Sequence, residues 1–285
     1  MSERRQPGFD RDTEFDRDTE FDRDTAVTRA DGGWTAAISP SWSIGSNPNG
    51  GYLVALAARA MLADSGQPDP WSVTAHFLSP PVPGPVTVRT QVIKPGRTYT
   101  TVTAGLHQGD RERVHLVGAF GDLSRRSGPT RIATEPPSLP APERCVSLRE
   151  LAGGEPLGSS GFPGRIDLRL APDTAWGGRG PEDGPFEITG WIRFHDGPDP
   201  TASSLLTFSD AYPPTLIGAL DVGWVPTIEL TTHVRARPEP GWLLGRFRTR
   251  LLVDGLLEED GELWDGSGRP VAQSRQLAMV LPRPP

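Results

Sequence analysis

The stretch Val73-Thr-Ala-His-Phe-Leu-Ser-Pro-Pro-Val-Pro-Gly84 recurs 157 positions later as Leu230-Thr-Thr-His-Val-Arg-Ala-Arg-Pro-Glu-Pro-Gly241. A threonine, the histidine, two prolines and the glycine coincide in the two copies. Each copy leads into strand-like sequence and ends on a small or apolar stretch, at 117–123 and at 277–281. A repeat of this length predicts two copies of one supersecondary unit.

Each half of the chain shows the same order of predicted elements. In the first half, a strand over 34–39 precedes an apolar helix over 52–62, whose start is marked by Asn47, Asn49 and a glycine pair. Strand patterns then fill 71–123, with hairpin chemistry at 94–97 and 108–111. In the second half, a strand over 186–194 precedes a helix over 215–220, after Pro213-Pro214. The remaining strands are predicted at 227–234, 242–252, 256–264 and 271–280.

A helix that is apolar on nearly every face is normally buried at the centre of a domain. The pattern therefore predicts an α+β chain with two tandem antiparallel sheets, each wrapped around a central apolar helix, which is a double hotdog. The expected domains are an acidic arm over 1–26, a first hotdog over 27–123, a Pro/Gly-rich linker over 124–185 and a second hotdog over 186–285.

The acidic arm contains three tandem copies of one hexapeptide. They read Phe9-Asp-Arg-Asp-Thr-Glu14, Phe15-Asp-Arg-Asp-Thr-Glu20 and Phe21-Asp-Arg-Asp-Thr-Ala26. Because so much charge leaves little to bury, the arm is predicted to be disordered. A tail that binds a partner is the alternative interpretation of the same repeat.

Bulk composition excludes several classes of function. The net charge is −7, and nine acidic residues against five arginines in the first 26 positions supply −4 of it. The absence of a basic stripe argues against a nucleic-acid partner. Cys145 is the only cysteine, which excludes an internal disulfide and a thiolate metal cluster. Lys94 is the only lysine, so just one side chain is available for Schiff-base chemistry.

The sequence also predicts the cellular location of the protein and whether it needs a metal or another cofactor. No apolar run approaches the ~20 residues that cross a bilayer, and the charged N-terminus lacks a signal region, so we expect a cytoplasmic protein with no membrane span. His107, His115 and His195 show no metal-ligand spacing, so no metal is predicted, and no other cofactor. His76 and His233 occupy equivalent repeat positions, which favours a shared structural role.

Six short motifs, in their order and spacing, resemble the acyl-CoA thioesterase II (TesB-like) family of double-hotdog enzymes. They are Asn49-Gly-Gly-Tyr-Leu, Gly96-Arg-Thr-Tyr-Thr100, Trp191-Ile-Arg193, Ser209-Asp210, Thr227-Ile-Glu-Leu-Thr231 and Val271-Ala-Gln-Ser-Arg-Gln276. The resemblance covers about residues 34–281. It implies hydrolysis of a fatty or related acyl-CoA in lipid metabolism, with CoA as part of the substrate.

The resemblance carries over three catalytic residues, which are Asp210, Thr227 and Gln276. Asp210 is expected to accept the proton of an attacking water, or to orient that water. Thr227 and Gln276 are expected to fix the water by hydrogen bonds. At the 157-residue offset the three positions fall on Leu53, Pro70 and Ala119. The first half is therefore expected to serve as scaffold and acyl-pocket wall.

Two features of the sequence bear on the mechanism of thioester hydrolysis. Unpaired N–H groups at the start of the helix after Pro213-Pro214 are expected to meet the thioester oxygen. There is no Gly-x-Ser-x-Gly elbow, which favours direct attack by water over an acyl-enzyme. Each catalytic candidate also has a structural interpretation. Asp210 suits a helix cap, and Thr227 suits an ordinary strand residue, with Thr231 as an alternative candidate for the catalytic threonine. Gln276 lies on an apolar strand, where a buried amide needs hydrogen-bond partners.

The predicted substrate-binding residues are Gly50, Gly51, Arg97, Tyr212 and Thr231. The glycine pair is expected to permit close helix–sheet contact, and Tyr212 with its two prolines to narrow the acyl tunnel. Arg97 is a candidate for the CoA phosphates or a solvated strand residue, and three further arginines share this interpretation: Arg246, Arg248 and Arg250.

Two other functions stay open at this point. The first is a non-catalytic protein that binds acyl-CoA or lipid in the same pocket. The second is an enoyl-CoA hydratase or dehydratase, for which Asn47-Pro-Asn49 lacks both the acid and the histidine. The two halves are expected to pair edge to edge and so to mimic a dimer, and a homodimer of whole chains is a further expectation.

Overall fold

A computed structural model of the protein describes residues 19–151, 161–174, 185–195 and 197–282, with the backbone alone at 150 and 151. The first half contains α1 (Glu20–Asp24), β1 (Thr28–Ala30), β2 (Gly33–Ile38), β3 (Ser43–Ile44), β4 (Asn47–Pro48), α2 (Gly50–Ser65), β5 (Asp69–Phe77), β6 (Gly84–Lys94), β7 (Tyr99–Gln108) and β8 (Arg111–Gly121). The second contains β9 (Val146–Ser147), α3 (Leu148–Leu151), α4 (Phe162–Arg165), β10 (Ile166–Leu170), β11 (Phe186–Phe194), α5 (Leu205–Phe208), β12 (Thr227–Val234), β13 (Leu243–Thr249), β14 (Leu252–Val253), β15 (Leu256–Trp264) and β16 (Pro270–Met279).

One large antiparallel sheet runs through both halves. Its order is β1-β2-β6-β7-β8-β5-β12-β16-β15-β13-β11-β10-β9, with β14 beside β15 and with β3 and β4 paired separately. β5 and β12 lie side by side at the centre, and the strands after β5 and after β12 extend away from them in mirrored order. The predicted pairing of the two halves edge to edge is confirmed by the β5–β12 ladder.

The sequence repeat maps onto a pseudo-two-fold axis at this central pair of strands. Thr74 lies directly opposite Thr231, its own counterpart in the repeat, and their hydroxyl oxygens are 2.9 Å apart. The two repeat glycines, Gly84 and Gly241, both have positive φ angles, of 131° and 103°. A glycine recurs there because other residues rarely adopt such angles.

Helix α2 forms the buried centre of the first half. Asn49 caps its N-terminus by accepting the Tyr52 N–H at 2.9 Å, and Gly66 ends it with a φ of 66°. The helix packs against β2, β5, β6, β7 and β8. The predicted buried helix is therefore confirmed. Even α2 is too short to cross a membrane, and no other helix in the described parts of the chain is long and apolar enough to do so.

Within its described residues, the second half has no central helix of comparable length. Residues 215–220 form turns, so the helix predicted there is wrong, and helical structure lies earlier, in the four residues of α5. Pro213 and Pro214 have no N–H to donate, so an α-helix could not continue through them. Gly218 then adopts a φ of 87°, which an α-helix does not accommodate. The buried α5 packs against α2.

Two segments carry more structure than their composition indicates. Within the predicted linker 124–185, β10 pairs with β11 and extends the sheet of the second half. In the predicted disordered arm, residues 1–18 lie outside the described part, but residues 19–26 contain α1, and Phe21 is only 3% exposed. Composition does not predict either segment, because one buried aromatic side chain, or a strand of five residues, is enough to anchor a polar stretch.

Candidate active site

Asp210 follows the end of α5 and lies against the N-terminus of α2. Its Oδ2 accepts a hydrogen bond from the Gly51 N–H at 2.8 Å and another from Asn49 Nδ2 at 3.1 Å. The same Asn49 nitrogen donates to the Asp210 carbonyl oxygen at 2.8 Å. Neither of these bonds to the carboxylate uses Oδ1. A carboxylate of the second half is thus held by backbone and side chain of the first.

The surroundings of Asp210 bring its pKa close to neutral pH. Burial raises the pKa of the Asp210 carboxyl to about 6, against the opposing hydrogen bonds from Gly51, Gly50 and Asn49. Asp210 as a whole residue is partly exposed, but its carboxyl group is buried, and the burial of that group raises the pKa. A carboxylate in this range is mostly ionised at pH 7 and still basic enough to accept a proton, which suits a general base.

Gly50 and Gly51 leave the space that Asp210 occupies. A Cβ atom on Gly51 would lie 2.8 Å from the Asp210 Cβ and 2.8 Å from the Thr207 carbonyl oxygen. A Cβ atom on Gly50 would lie 2.8 Å from Asp210 Oδ2. Only glycine permits this approach. The predicted close helix–sheet contact exists at Gly50, whose Cβ position lies 3.0 Å from the Phe77 ring of β5, whereas Gly51 approaches helix α5 and Asp210 instead.

Strand β12 begins at the same end of the sheet as this carboxylate. The Phe77 ring, at the end of β5, comes within 3.0 Å of the Cβ position of Gly50. Because β5 and β12 are antiparallel, the end of β5 lies beside the start of β12, where Thr227 is the first residue. The predicted residue Thr227 therefore lies at the Asp210 end of the molecule.

Gln276 reaches the same region from β16. It pairs with the buried Leu230, and Thr227 pairs with the buried Ala278, so both side chains face the inner side of the sheet. Gln276 is only 8% exposed. No hydrogen bond joins the Thr227 hydroxyl or the Gln276 amide to another described residue. Two inward polar groups without protein partners suit the binding of a water or a substrate.

Glu259 is a second carboxyl in this region, and the sequence analysis missed it. It lies on β15 directly opposite Gln276, and it is 6% exposed. Its Oε2 accepts the Thr215 N–H at 2.9 Å. Burial, together with the negative charge of Asp210, raises the pKa of the Glu259 carboxyl to about 7 against the hydrogen bonds from Thr215. The sequence signal was a glutamate at an inward position of the alternating strand 256–264.

The strand pairings show that Gln276 has no polar counterpart in the first half. Gln276 pairs with Leu230, and in the first half Gly118 pairs with Val73, the counterpart of Leu230. Gly118 is therefore the structural counterpart of Gln276. The match to Ala119 was wrong by one position because β8 and β16 are related by an offset of 158 residues.

The other strand positions follow the same rule. Glu259 lies opposite Gln276 as Val102 lies opposite Gly118, so a buried valine stands where the second half has a buried glutamate. Thr227 and Pro70 each occupy the last paired position before a register shift, which agrees with the offset in the sequence.

Arg97 lies far from Asp210. The Gln67 side chain donates to the neighbouring Gly96 carbonyl at 3.0 Å, which places this loop at the C-terminal end of α2. Asp210 contacts the N-terminal end, and a helix of this length spans about 24 Å. The structure does not bring Arg97 together with the catalytic candidates.

The side chains of Tyr212 and Thr231 make their observed contacts with groups other than the Asp210 carboxylate. The Tyr212 hydroxyl donates to the Gly190 carbonyl at 2.9 Å, and its ring stacks on Phe247 with centroids 4.4 Å apart. Thr231 pairs with the exposed Arg275, on the face of the sheet opposite to Gln276. It donates to a neighbouring glutamate at 2.5 Å. Their predicted contacts with substrate stay predictions.

The three arginines considered for the CoA phosphates form ion pairs on the outer face. Arg246 and Arg248 lie 2.6 Å and 3.2 Å from the Glu262 carboxylate. Arg250 binds Asp260. This is the arrangement of a charged strand face, the alternative that the sequence left open.

Two predictions about backbone groups need correction. The helix expected to offer N–H groups after Pro214 does not exist, and the Thr215 N–H binds Glu259, so no oxyanion site arises there. Asp210 does lie at a helix N-terminus, but that helix is α2 of the other half. Asn49 was identified only as a helix start, and its second role as a donor to Asp210 had no sequence signal.

The histidines and acids of the described residues form no group of three or more that could hold a metal ion. His76 and His233 are exposed on the outer face at equivalent positions of β5 and β12.

Comparison with known proteins places this arrangement in a family. The acyl-CoA thioesterase N-terminal domain matches residues 38–121, and the acyl-CoA thioesterase C-terminal domain matches residues 142–280. An uncharacterised protein of Mycobacterium tuberculosis is 32% identical over 263 residues, which cover 85% of this chain and 89% of that protein.

Solved structures agree with the family models. A protein of Thermobifida fusca, provisionally assigned as a thioesterase II, superposes with a TM-score of 0.82 at 35% identity, covering 92% of this chain and 98% of that one. A hotdog-fold protein of unknown function from Alicyclobacillus acidocaldarius superposes with a TM-score of 0.78 at 19% identity, covering 92% and 97%, and shows the fold alone. The resemblance seen in the sequence is confirmed, and the chain belongs to the acyl-CoA thioesterase family, with the TesB-like thioesterase II proteins.

Proposed function

We propose that the chain hydrolyses a fatty or related acyl-CoA to the free acid and CoA, with Asp210 as the general base. The observation that carries the proposal is the Asp210 carboxylate, held at the N-terminus of α2 with a pKa raised to about 6. In this proposal the chain is a double hotdog. Its second half supplies the reacting side chains, and its first half supplies the helix that positions them.

The reaction begins when a water attacks the thioester carbonyl carbon while Asp210 takes one of its protons. A C–O bond forms, and the carbonyl electrons move onto oxygen to give a tetrahedral intermediate. The intermediate then collapses, the C–S bond breaks, and the sulfur leaves and takes the proton from Asp210. The products are the carboxylic acid and the free thiol of CoA. Because Oδ2 is bound by Gly51 and Asn49, we assign proton transfer to Oδ1.

Thr227 and Gln276 complete the proposed site from the inner face of the sheet. The Gln276 amide has both a donor and an acceptor, so it can hold the water and also donate to the oxyanion. In this proposal the Gln276 side chain is the oxyanion donor, a role that the sequence analysis gave to backbone N–H groups after Pro214. The proposed reaction uses water and side chains of the chain, and CoA is part of the substrate.

The direct test is release of free thiol from a series of acyl-CoAs of short to long chain. In Asp210→Asn, which keeps the shape of the side chain but removes the base, we expect kcat to fall by about 10²- to 10⁴-fold while acyl-CoA binding persists. Hydrolysis at the wild-type rate would contradict the assignment of Asp210. Binding without thiol release by the wild-type protein would identify an acyl-CoA-binding protein instead.

Gln276 offers a second test with a matched control. Gln276→Ala should lower kcat about 10- to 100-fold because the water loses a positioning group. Gln273→Ala makes the same change on the same strand, but its side chain lies on the outer face and binds Arg235. It should leave thiol release unchanged. Equal effects of the two substitutions would show that strand stability, rather than the site, is being measured.

A further inference from the structure

The third copy of the hexapeptide is bound in a groove on the folded chain. We call the groove residues Trp42, Tyr52, Arg59 and Phe194 the motif groove. Phe21 fills it, with ring centroids 5.7 Å from Trp42 and 5.0 Å from Phe194. Phe21 is 3% exposed, so it is as buried as a core residue.

The motif groove also recognises the polar residues of the hexapeptide. Asp22 pairs with Arg59. Trp42 Nε1 donates to Asp24 Oδ2 at 2.7 Å, and the Tyr52 hydroxyl donates to the Asp24 carbonyl at 2.7 Å.

The threonines complete the bound segment. Thr25 is fully buried, and its hydroxyl donates to the Phe21 carbonyl at 2.7 Å. Upstream, Thr19 caps α1, and Glu20 pairs with Arg165. Phenylalanine, both aspartates and threonine of the motif thus all have defined partners.

The second copy contains each of these residues in the same order. Phe15, Asp16, Asp18 and Thr19 repeat the motif, and Thr13 and Glu14 precede it as Thr19 and Glu20 precede the third copy. The first copy repeats the motif but follows Pro7 and Gly8, so it lacks the capping threonine and the partner of Arg165. By these contacts the second copy is a complete substitute and the first an incomplete one.

We propose that the motif groove binds the hexapeptide interchangeably, and that Phe15–Glu20 of the same chain takes the place of Phe21–Ala26 when the third copy leaves. The second copy directly precedes the third in the sequence, so it belongs to the same chain as the groove at high effective concentration. Its binding lengthens the connection to β1 by six residues, which lowers its occupancy relative to the third copy by about five-fold through loop closure. The second and third copies are thus alternative ligands for one site, and the first copy is an incomplete one.

The motif groove contacts α2 and α5, the two elements that hold Asp210. Trp42 stacks on Tyr52, one residue after Gly51, with centroids 5.2 Å apart. Phe194 packs on Phe208 of α5 with centroids 4.7 Å apart. An occupied groove therefore supports the junction of α2 and α5, whichever copy occupies it. The exchange does not depend on the proposed reaction.

Thermal unfolding of four full-length proteins tests the exchange: wild type, Phe15→Ala, Phe21→Ala and the double variant. Phe15→Ala should leave Tm unchanged, and Phe21→Ala should lower it by about 2 °C because the second copy replaces the third. The double variant, left with the incomplete first copy, should lose about 6–10 °C. If Phe21→Ala alone loses as much as the double variant, the copies do not exchange and the proposal is wrong.

Hydrogen exchange on Phe21→Ala keeps the proposal testable if the double variant does not fold. In the wild type, the Arg23 and Thr25 amides donate to Thr19 and Phe21 carbonyls at 2.9 and 3.0 Å. In Phe21→Ala, protection should move to the amides of Arg17 and Thr19. Loss of protection without its reappearance upstream would overturn the proposal. So would reappearance only in a dimer, because the groove would then be filled by another chain.

Discussion

The two halves of the molecule share their strand order and differ in their helices. The first half wraps its strands around the 16 residues of α2, whereas in the described part of the second half the corresponding helix is the four-residue α5. Two residues after α5 ends, and before the two prolines, Asp210 lies against the N-terminus of α2 in the first half. In the proposed reaction, the first half therefore supplies the supporting helix and the second half supplies the reacting side chains.

The same asymmetry runs through the strands. Val102 and Gly118 in the first half correspond to Glu259 and Gln276 in the second, at buried and paired positions. Buried polar groups destabilise a fold unless they are paired. At these two positions the polar side chains occur in the second half and not in the first, which agrees with the placement of the proposed site.

The largest effect should come from breaking the contact between the halves at Gly51. In Gly51→Ala the new Cβ meets the carbonyl oxygens of Leu206 and Thr207 at 2.9 and 2.8 Å, which are backbone atoms that cannot move aside. We expect a loss of about 2–3 kcal/mol in the free energy of unfolding, measured in urea, and at least a 10²-fold loss of thiol release.

Gly50→Ala is the matched control for that change. Its Cβ meets Asp210 Oδ2 and the Phe77 ring, which are the ends of side chains. It should cost less than about 1 kcal/mol of stability, because those atoms can shift, yet still lower activity by displacing the carboxylate. If Gly51→Ala were as stable and active as the wild type, the contact between the halves would not define the site.

A smaller effect should come from making the second half more like the first at Glu259. The pKa of Glu259 is raised to about 7 in the folded protein. The folded state therefore binds the proton more tightly than the unfolded state, and this stabilises the fold fully at pH values below the ordinary carboxyl pKa. That contribution is lost as the pH rises from about 4.5 through about 7. Glu259→Gln keeps an acceptor for Thr215 and carries no charge. It should therefore be more stable than the wild type at pH 8, by about 1–3 kcal/mol.

Denaturant unfolding of the wild type and Glu259→Gln at pH 4 and pH 8 measures this difference. The two proteins should have nearly equal stability at pH 4, where both side chains are neutral. A constant difference at both pH values would show that the substitution acts through packing, and that Glu259 is not a buried acid with a raised pKa.

Much of this architecture could be predicted from the sequence, because its signals are local. The apolar run of α2, its Asn49 cap and the alternation in β5 to β8 each specify an element by short-range pattern. The repeat of Thr74 in Thr231 predicted two equivalent units, and their pairing places the two threonines face to face.

The parts that escaped prediction depend on contacts between distant residues. Nothing near Asp210 in the sequence shows that it binds Asn49 and Gly51, because those partners lie about 160 positions away. Glu259 was missed because a glutamate in a charged strand is normally exposed. Phe21 was missed because its repeat is mostly charge, and its aromatic partners come from two separate segments.

The central claim is that a carboxylate of the second half, positioned by the helix of the first, is the base of the reaction. The pH dependence of kcat/KM for thiol release tests it most directly, since that profile reports the groups of the free enzyme. Because the base must be ionised, the rate should rise with pH to a plateau, with its midpoint near pH 6, and the residual rate of Asp210→Asn should lack this step. A wild-type profile that is flat between pH 5 and 8, or the same step in Asp210→Asn, would contradict the account.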